Sequence, residues 1–150
     1  MDRSDVHLTP AGMLEVVLEV ADLETSVSFY RDQLGMAEVE RWDEPRPAVW
    51  VAMGPHQVLG LWPARSGGPG VGLHESRGGA HVHFALYVQP ATLDRWQRQL
   101  TERGIEVKGP VSFGSANRSL YVTDPDGNVV ELAEWSQDWA GQPVMPPEAG

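Results

Sequence analysis

The first clear pattern in the chain is the stretch Glu15-Val16-Val17-Leu18-Glu19-Val20, in which apolar and charged residues alternate. A period of two is typical of a β-strand, whose successive side chains point to opposite faces of a sheet. One face of this strand carries only valine and leucine, and we expect it to pack against a helix. The other face carries Glu15, Val17 and Glu19, and we expect it to stay open.

The same pattern returns later in the chain, at residues 81–88. In both places a helix with apolar residues at positions i, i+3 and i+7 follows the strand, and a glycine ends it. The two copies begin 68 residues apart, at Glu15 and His83, so the sequence predicts a duplicated βαβββ unit. The predicted short strands are 37–41, 49–53 and 57–62 in the first copy, and 105–108, 119–123 and 129–135 in the second.

One helix cannot cover both faces of such a sheet, so each unit keeps one face open. We therefore predict an α+β fold in which two paired βαβββ modules enclose a cleft between their curved mixed sheets. The predicted organisation is an N-terminal arm at 1–12, a single domain at 13–135 and a C-terminal tail at 136–150. Within the domain, module one spans 13–62, a glycine-rich linker spans 63–79 and module two spans 80–135.

Composition narrows the classes of partner. The chain has 150 residues with 11 Lys and Arg against 21 Asp and Glu, a net charge of −10. Such a balance lacks the basic surface that nucleic acids and anionic membranes attract, so we expect neither as a partner. With no apolar run of about 20 residues and no recognisable secretory signal, we expect a cytoplasmic protein. Because cysteine is absent, any metal site must use His, Asp or Glu.

Three polar residues fall on the predicted cleft face of the strands. Glu15 and His83 occupy matching positions in the two copies, and Glu131 lies on the final strand between two apolar neighbours. The repeat-mate of Glu131 is Gly60, which has no side chain to offer. We therefore expect the open faces of the two modules to bring together two carboxylates and one imidazole.

Two longer runs add a resemblance to a known family. Residues 20–35 include Val-Ala-Asp-Leu and Phe-Tyr-Arg-Asp-Gln-Leu-Gly, and residues 121–132 read Tyr-Val-Thr-Asp-Pro-Asp-Gly-Asn-Val-Val-Glu-Leu. Over about residues 13–135 the chain resembles the vicinal oxygen chelate superfamily. This superfamily includes glyoxalase I, extradiol dioxygenases, methylmalonyl-CoA epimerase, fosfomycin-resistance enzymes and bleomycin-resistance proteins.

The resemblance implies paired βαβββ modules around a divalent metal ion. It assigns His83 and Glu131 to metal-ligand positions, with Glu15 as the third ligand. Glu15 stands where most catalytic members have histidine, and Gly60 stands where glyoxalase I has a carboxylate. His81, two residues before His83 on the same strand face, is an alternative third ligand. One imidazole and two carboxylates favour Mn²⁺ or Mg²⁺ and also suit Ni²⁺, Zn²⁺ or Fe²⁺.

The resemblance also suggests substrate-binding residues. In fosfomycin-resistance enzymes a Ser-x-Tyr precedes the Asp-Pro-Asp-Gly turn, and here Ser119 and Tyr121 hold those places, next to Arg118. Arg118 could pair with an anionic substrate or with a surface carboxylate. Trp62 and Tyr87 lie on or near the cleft face, where aromatic rings either stack on a flat ligand or belong to the core.

Two functions follow from the resemblance. The first is a metal-dependent, glyoxalase-like enzyme for a small oxygenated substrate that chelates the metal, either a lyase or isomerase or similar to fosfomycin-resistance enzymes. Glu15 or Glu131 would then also act as the catalytic base. The alternative is a metal-free, bleomycin-resistance-like protein that sequesters a drug, and a dioxygenase would require an unusual iron site. A homodimer is expected by analogy with the family.

Overall fold

A computed structural model describes residues 10, 13–64, 82–138 and 140–144. Module one contains β1 (Glu15–Val20), α1 (Leu23–Val27) continuing as a π-helical segment (Ser28–Gln33), β2 (Glu38–Trp42), β3 (Ala48–Ala52) and β4 (Val58–Pro63). Module two contains β5 (His83–Tyr87), α2 (Leu93–Glu102), β6 (Lys108–Phe113), β7 (Asn117–Thr123) and β8 (Val129–Glu134). The predicted linker lies outside the described residues from 65 onward, as do His81 and residues 1–9 of the arm.

Each module forms one four-stranded mixed sheet. The strand orders are β1-β4-β3-β2 and β5-β8-β7-β6, with the first strand of each module parallel to the last and the other pairs antiparallel. The predicted α+β fold with two βαβββ modules is therefore confirmed. In each module the first strand lies at an edge of its sheet.

The strand register confirms the predicted alignment of the two copies. Val17 lies opposite Gly60 in module one, as Ala85 lies opposite Glu131 in module two. Gly60 is therefore the structural counterpart of Glu131, and Glu15 is the counterpart of His83. On the third strand of each module, Trp50 pairs with Gly60 as Tyr121 pairs with Glu131. These equivalences define which side chains share each open face.

The first helix shows the local chemistry that starts and ends these elements. The Asp22 carboxylate accepts a hydrogen bond of 2.8 Å from the backbone N–H of Thr25, so Asp22 caps the helix as predicted. Toward its C-terminal end, the N–H of Leu34 donates to the carbonyl of Phe29. Gly35 then adopts a φ of +73°, which an L side chain would strain, and the chain turns toward β2.

The helix-facing sides of both sheets share one hydrophobic core. The buried residues include Leu18 and Leu61 from the first sheet and Leu120 and Leu132 from the second. The Tyr30 ring of the first helix stacks on Phe84 of β5, with centroids 6.4 Å apart. The modules therefore pack through their covered faces, which leaves the open faces to solvent. None of the described helices is long and apolar enough to cross a membrane.

The largest error in the predicted elements concerns β6. The apolar residues Ile105 and Val107 suggested a strand at 105–108, but the strand runs from Lys108 to Phe113. Ile105 and Val107 instead belong to the connecting segment and pack against the core, which explains their apolar character. The sequence of β6 does not show a regular strand pattern. The reason is that Gly109, at a φ of +107°, lies in an irregularity of the pairing with β7.

A buried polar network joins the two modules. Asp124, 4% exposed, follows β7, and its carboxylate accepts a 2.6 Å hydrogen bond from the Tyr30 hydroxyl of the first helix. The same carboxylate accepts bonds from the backbone and side-chain N–H groups of Asn128. Burial, the bond to Asp124 and the nearby negative charge raise the pKa of Tyr30. Asp126 adds a second link, because its carboxylate accepts from the backbone N–H of Ala21.

We expect Tyr30→Phe to lower the free energy of unfolding by about 2 kcal/mol, because it removes a hydrogen bond to a buried carboxylate. Urea unfolding of the metal-free protein measures this change. Tyr87→Phe is the matched control: Tyr87 is 54% exposed, and we expect its loss of a hydroxyl to change stability by less than about 0.5 kcal/mol. Equal stabilities of the two variants would contradict a stabilising role of this network.

Candidate metal centre

His83 and Glu131 lie close together on the open face of module two. They belong to neighbouring parallel strands, β5 and β8, and His83 Nε2 is 4.0 Å from Glu131 Oε1. The His83 side chain is 56% exposed, whereas that of Glu131 is 12% exposed. A largely buried carboxylate therefore faces an accessible imidazole.

Tyr121 is the third polar group at this place. It lies opposite Glu131 on β7, and its ring meets the His83 ring edge-on at 5.8 Å between centroids. Burial, a hydrogen bond with Glu131 and the negative charge of that carboxylate together raise the pKa of Tyr121 to about 12. The phenol therefore remains protonated at neutral pH.

These groups open onto a cavity of about 470 Å³ whose walls are mainly aromatic and apolar. All of the wall belongs to module two. The lining residues are His83, Ala85, Leu86, Tyr87, Phe113, Tyr121, Glu131, Ala133 and Trp135. A neighbouring cavity of about 570 Å³ lies between the modules and shares His83 with the first. An apolar cavity with a few convergent polar groups is the usual form of a small-molecule site.

The donor chemistry of His83 and Glu131 fits a divalent metal ion. Ligand bonds of about 2.0–2.2 Å at angles of about 90–110° place two donor atoms roughly 3.0–3.6 Å apart. His83 Nε2 and Glu131 Oε1 are 4.0 Å apart, so a side-chain shift of about half an ångström would bring them into that range. A third donor does not join them within residues 13–64 and 82–138, where no group of three His, Asp or Glu side chains is placed to hold a metal. Among the described residues, His83 and Glu131 are thus two ligand-type side chains without a third beside them.

Glu15 does not lie in the cavity of module two. It projects from the open face of module one, where its Oε1 accepts a hydrogen bond of 2.7 Å from Trp50 Nε1. The described residues therefore do not bring Glu15 together with His83 and Glu131, and the role of Glu15 as third ligand stays a prediction. His81, the alternative ligand, lies outside the described residues.

Two of the predicted substrate-binding residues, Arg118 and Ser119, lie on opposite faces of β7. Arg118 lies on the helix side of β7, with Nη1 3.2 Å from Asp94 and Nη2 3.6 Å from Glu134, so it contacts carboxylates and does not line the cavity. Ser119 faces the cavity side but is fully buried, and its hydroxyl accepts a 3.0 Å bond from Trp135 Nε1. Ser119 thus fixes a wall residue and is not itself accessible.

The two predicted aromatic residues, Tyr87 and Trp62, lie in different modules. Tyr87 lines the cavity of module two, whereas Trp62 is fully buried on the open face of module one. There Trp62 packs against Trp42 and Trp50, with centroid distances of 5.7 and 5.5 Å. Trp62 is therefore part of an aromatic cluster in the other module.

Two cavity residues, Phe113 and Trp135, were not foreseen from the sequence. Their rings pack together at 5.2 Å between centroids. Phe113 was missed because β6 was predicted to end at Lys108, five residues too early. Trp135 was included in the last predicted strand, where its odd-numbered position puts it on the same face as Glu131, and that parity was the available signal.

The raised pKa of Tyr121 can be tested in the metal-free protein. We expect Tyr121 to titrate near pH 12, above the ordinary value of 10, because burial, the hydrogen bond with Glu131 and the negative charge of that carboxylate all disfavour the phenolate. In Glu131→Gln the charge is gone but the burial remains, so the titration midpoint should fall part of the way toward 10. NMR of ring-labelled tyrosine, assigned with Tyr121→Phe and recorded with EDTA, measures both midpoints. A midpoint unchanged by Glu131→Gln would contradict the assigned cause.

Comparison with known proteins assigns the fold of this chain to a family. The Glyoxalase/Bleomycin resistance protein/Dioxygenase superfamily model matches residues 12–132. Biphenyl-2,3-diol 1,2-dioxygenase 3 of Rhodococcus globerulus is 34% identical over 120 residues, which are 77% of this chain but only 59% of that protein. Metallothiol transferase FosB of Staphylococcus saprophyticus is 25% identical over 78% of this chain and 72% of its own length.

A solved structure with the same fold supports this family assignment. A glyoxalase/bleomycin resistance protein/dioxygenase from Nocardioides superposes with a TM-score of 0.67 at 28% identity, covering 93% of this chain and 92% of that one. The family match spans both modules and includes the strands that carry His83 and Glu131. The chain therefore belongs to the Glyoxalase/Bleomycin resistance protein/Dioxygenase superfamily.

Proposed function

We propose that this protein is a metal-dependent, glyoxalase-like enzyme that acts on a small oxygenated substrate in the cavity of module two. The observation that carries the proposal is the 4.0 Å approach of His83 Nε2 to Glu131 Oε1 on the accessible face of a sheet. A structural ion pair would not require an apolar cavity around it. Here the pair is placed where a ligand of moderate size can reach it.

The metal would be held by His83, Glu131 and a third donor, for which Glu15 is our choice. A divalent ion bound there supplies Lewis-acid polarisation of a substrate oxygen. Tyr121 is the register partner of Glu131 on the neighbouring strand, so its hydroxyl can orient this ligand before metal or substrate arrives. Either Glu131 or Glu15 can take up a proton from the substrate as the general base.

The cavity walls suggest the form of the substrate. Phe113, Trp135 and Tyr87 present aromatic surface, and Trp135 is anchored by its bond to Ser119. These rings bind an apolar or flat part of the substrate and keep water from the polar end. The protonated Tyr121 hydroxyl can stabilise negative charge on a substrate oxygen by donating a hydrogen bond.

The donor set favours a lyase, isomerase or thiol-transfer reaction over oxygen chemistry. Non-haem iron oxygenases use two histidines and one carboxylate, whereas this chain offers one histidine and two carboxylates. Similarity to a metallothiol transferase agrees with that preference, and similarity to a dioxygenase supports the shared scaffold.

We propose that the third donor, Glu15, comes from a second copy of the chain. Within one chain Glu15 and His83 lie on open faces of different modules, and each of these faces carries exposed apolar side chains, among them Val17 and Tyr87. Strands β1 and β5 are both at sheet edges, so a second copy can approach both open faces. A homodimer would cover this apolar surface and bring a Glu15 opposite each His83.

A metal-free drug-binding protein is the second candidate. The observation that favours it is the combination of an aromatic-lined cavity with only two ligand-type side chains from the same chain among the described residues. In that case His83 and Glu131 would serve as polar contacts for the bound molecule, and the rings would supply most of the affinity.

Metal titration separates the two functions. We expect the wild-type protein, stripped with EDTA, to bind Mn²⁺, Ni²⁺ or Zn²⁺ in calorimetry with a rise in melting temperature. His83→Ala and Glu131→Gln should abolish this binding, since each removes a ligand. His56→Ala, on an exposed turn of module one, is the control and should bind as wild type does. A wild-type protein that binds none of these ions supports the drug-binding function instead.

Mixing of variants tests the origin of the third ligand. Glu15→Ala and His83→Ala should each bind no metal alone, but co-refolding equal amounts should restore metal to about a quarter of the sites, because a mixed dimer has one complete site. Calorimetry of the mixture gives the site count. If Glu15→Ala alone retains full affinity, Glu15 is not a ligand, and His81→Ala then becomes the variant to compare. If both variants lose binding and mixing restores none, the site is completed within one chain.

A further inference from the structure

We propose that Trp50 is a positioning residue that orients the Glu15 carboxylate. Trp50 can do so only because position 60 is a glycine. This inference rests on the proposed function, because it assigns to Glu15 the role of a metal ligand. It concerns a hydrogen bond and a missing side chain on the open face of module one. The sequence indicated that Gly60 offers no side chain at this position, but it did not indicate the hydrogen bond.

The first observation is the contact itself. Trp50 Nε1 donates to Glu15 Oε1 at 2.7 Å, which is short for an N–H···O bond and is typical of a charged acceptor. Glu15 is otherwise an exposed side chain on an edge strand. Fixing such a glutamate costs rotamer entropy, and a bond made before the metal arrives removes that cost from the binding step.

The second observation explains why this contact is possible. A Cβ added to Gly60 would lie 2.8 Å from Glu15 Oε1 and 3.1 Å from Trp50 Nε1. Both distances are shorter than ordinary van der Waals contact, so any side chain at position 60 would push these two groups apart. Gly60 is the counterpart of Glu131. Because it has no side chain, the Trp50 indole can reach Glu15 on β1.

The third observation is the equivalence of the two modules. Trp50 occupies in module one the register position that Tyr121 occupies in module two. Each of these aromatic residues lies beside the carboxylate proposed as a ligand: Tyr121 is the register partner of Glu131, and Trp50 donates a hydrogen bond to Glu15. In both modules an aromatic residue of the third strand thus lies beside a carboxylate. That carboxylate is on the last strand, β8, in module two and on the first strand, β1, in module one.

The indole is also held rigidly. Its ring lies 4.9 Å from Trp42 and 5.5 Å from Trp62, at interplanar angles of 63° and 87°. Two neighbouring rings in edge-to-face contact restrict its rotamers, so the N–H is directed before Glu15 accepts it. This rigidity is what a positioning residue needs and what a flexible polar side chain could not provide.

The competing explanation is that the three indoles simply cover the sheet and that Glu15 satisfies one of their N–H groups. The two explanations differ in what should follow from losing the N–H while keeping an aromatic ring. A packing role predicts a change in stability alone. A positioning role predicts a change in metal affinity that depends on the presence of Glu15.

The experiment compares Trp50→Phe with Trp42→Phe, a matched loss of an indole in the same cluster. Co²⁺ and Mn²⁺ titrations of the metal-free protein give affinities, and the visible spectrum of bound Co²⁺ reports the ligand geometry. We expect Trp50→Phe to weaken binding by roughly 10- to 100-fold and to alter the Co²⁺ spectrum, as loss of a partner to a ligand usually does. Trp42→Phe keeps an aromatic ring against the Trp50 indole and leaves the indole N–H in place, so it should retain both. Thermal unfolding verifies that both variants are folded.

The same change in a Glu15→Asp background completes the test. With a shorter carboxylate the bond to the indole is lost, so Trp50→Phe should cause no further loss of affinity. Equal loss in both backgrounds, or wild-type affinity in Trp50→Phe, would overturn the positioning role and leave the metal site standing. A wild-type protein without metal affinity would instead overturn the proposed function, and this inference with it. Gly60→Ala, which closes the space, should weaken binding as Trp50→Phe does.

Discussion

The buried carboxylate of Asp124 is the contact on which the arrangement of the two modules depends. It receives hydrogen bonds from Tyr30 of module one and from Asn128 and the backbone of its own turn. A buried charge without such partners would be strongly unfavourable, so the turn and the first helix must meet at this point. The neighbouring Asp126 adds bonds to the start of the same helix. Together they fix the helix of module one against the sheet of module two.

That contact determines which faces remain available for chemistry. Because the modules join through their helix sides, Leu18 is buried, Val16, Phe84 and Leu86 are partly buried, and alternate residues are left on the open faces. His83, Tyr121 and Glu131 occupy one open face, while Glu15 and Trp50 occupy the other. The two faces carry related constellations, and their separation within one chain is the reason for proposing a second copy at the metal site.

The sequence supported the parts of this description that depend on local periodicity. The alternation at β1 and β5 identified Glu15 and His83 as repeat-mates, and the motif around Asp124 identified Glu131, all of which the strand register confirms. The sequence was a poorer guide to residues whose type is determined by contacts with distant parts of the chain. Ile105 and Val107 are apolar because a connecting segment covers the core. Arg118 pairs with Asp94 and Glu134 on the far side of the strand, which a motif match could not reveal.

By itself, then, the sequence determined the duplication and the strand faces, because these follow from a period of two and a repeat of 68 residues. The resemblance to a known family then implied the pairing of His83 with Glu131. Only the tertiary structure decided how the two modules face each other. The distance from Glu15 to its nearest donor, the burial of Ser119 and the space left by Gly60 likewise depend on atoms far apart in the chain. No local pattern encodes them, since they arise from packing two sheets against one shared core.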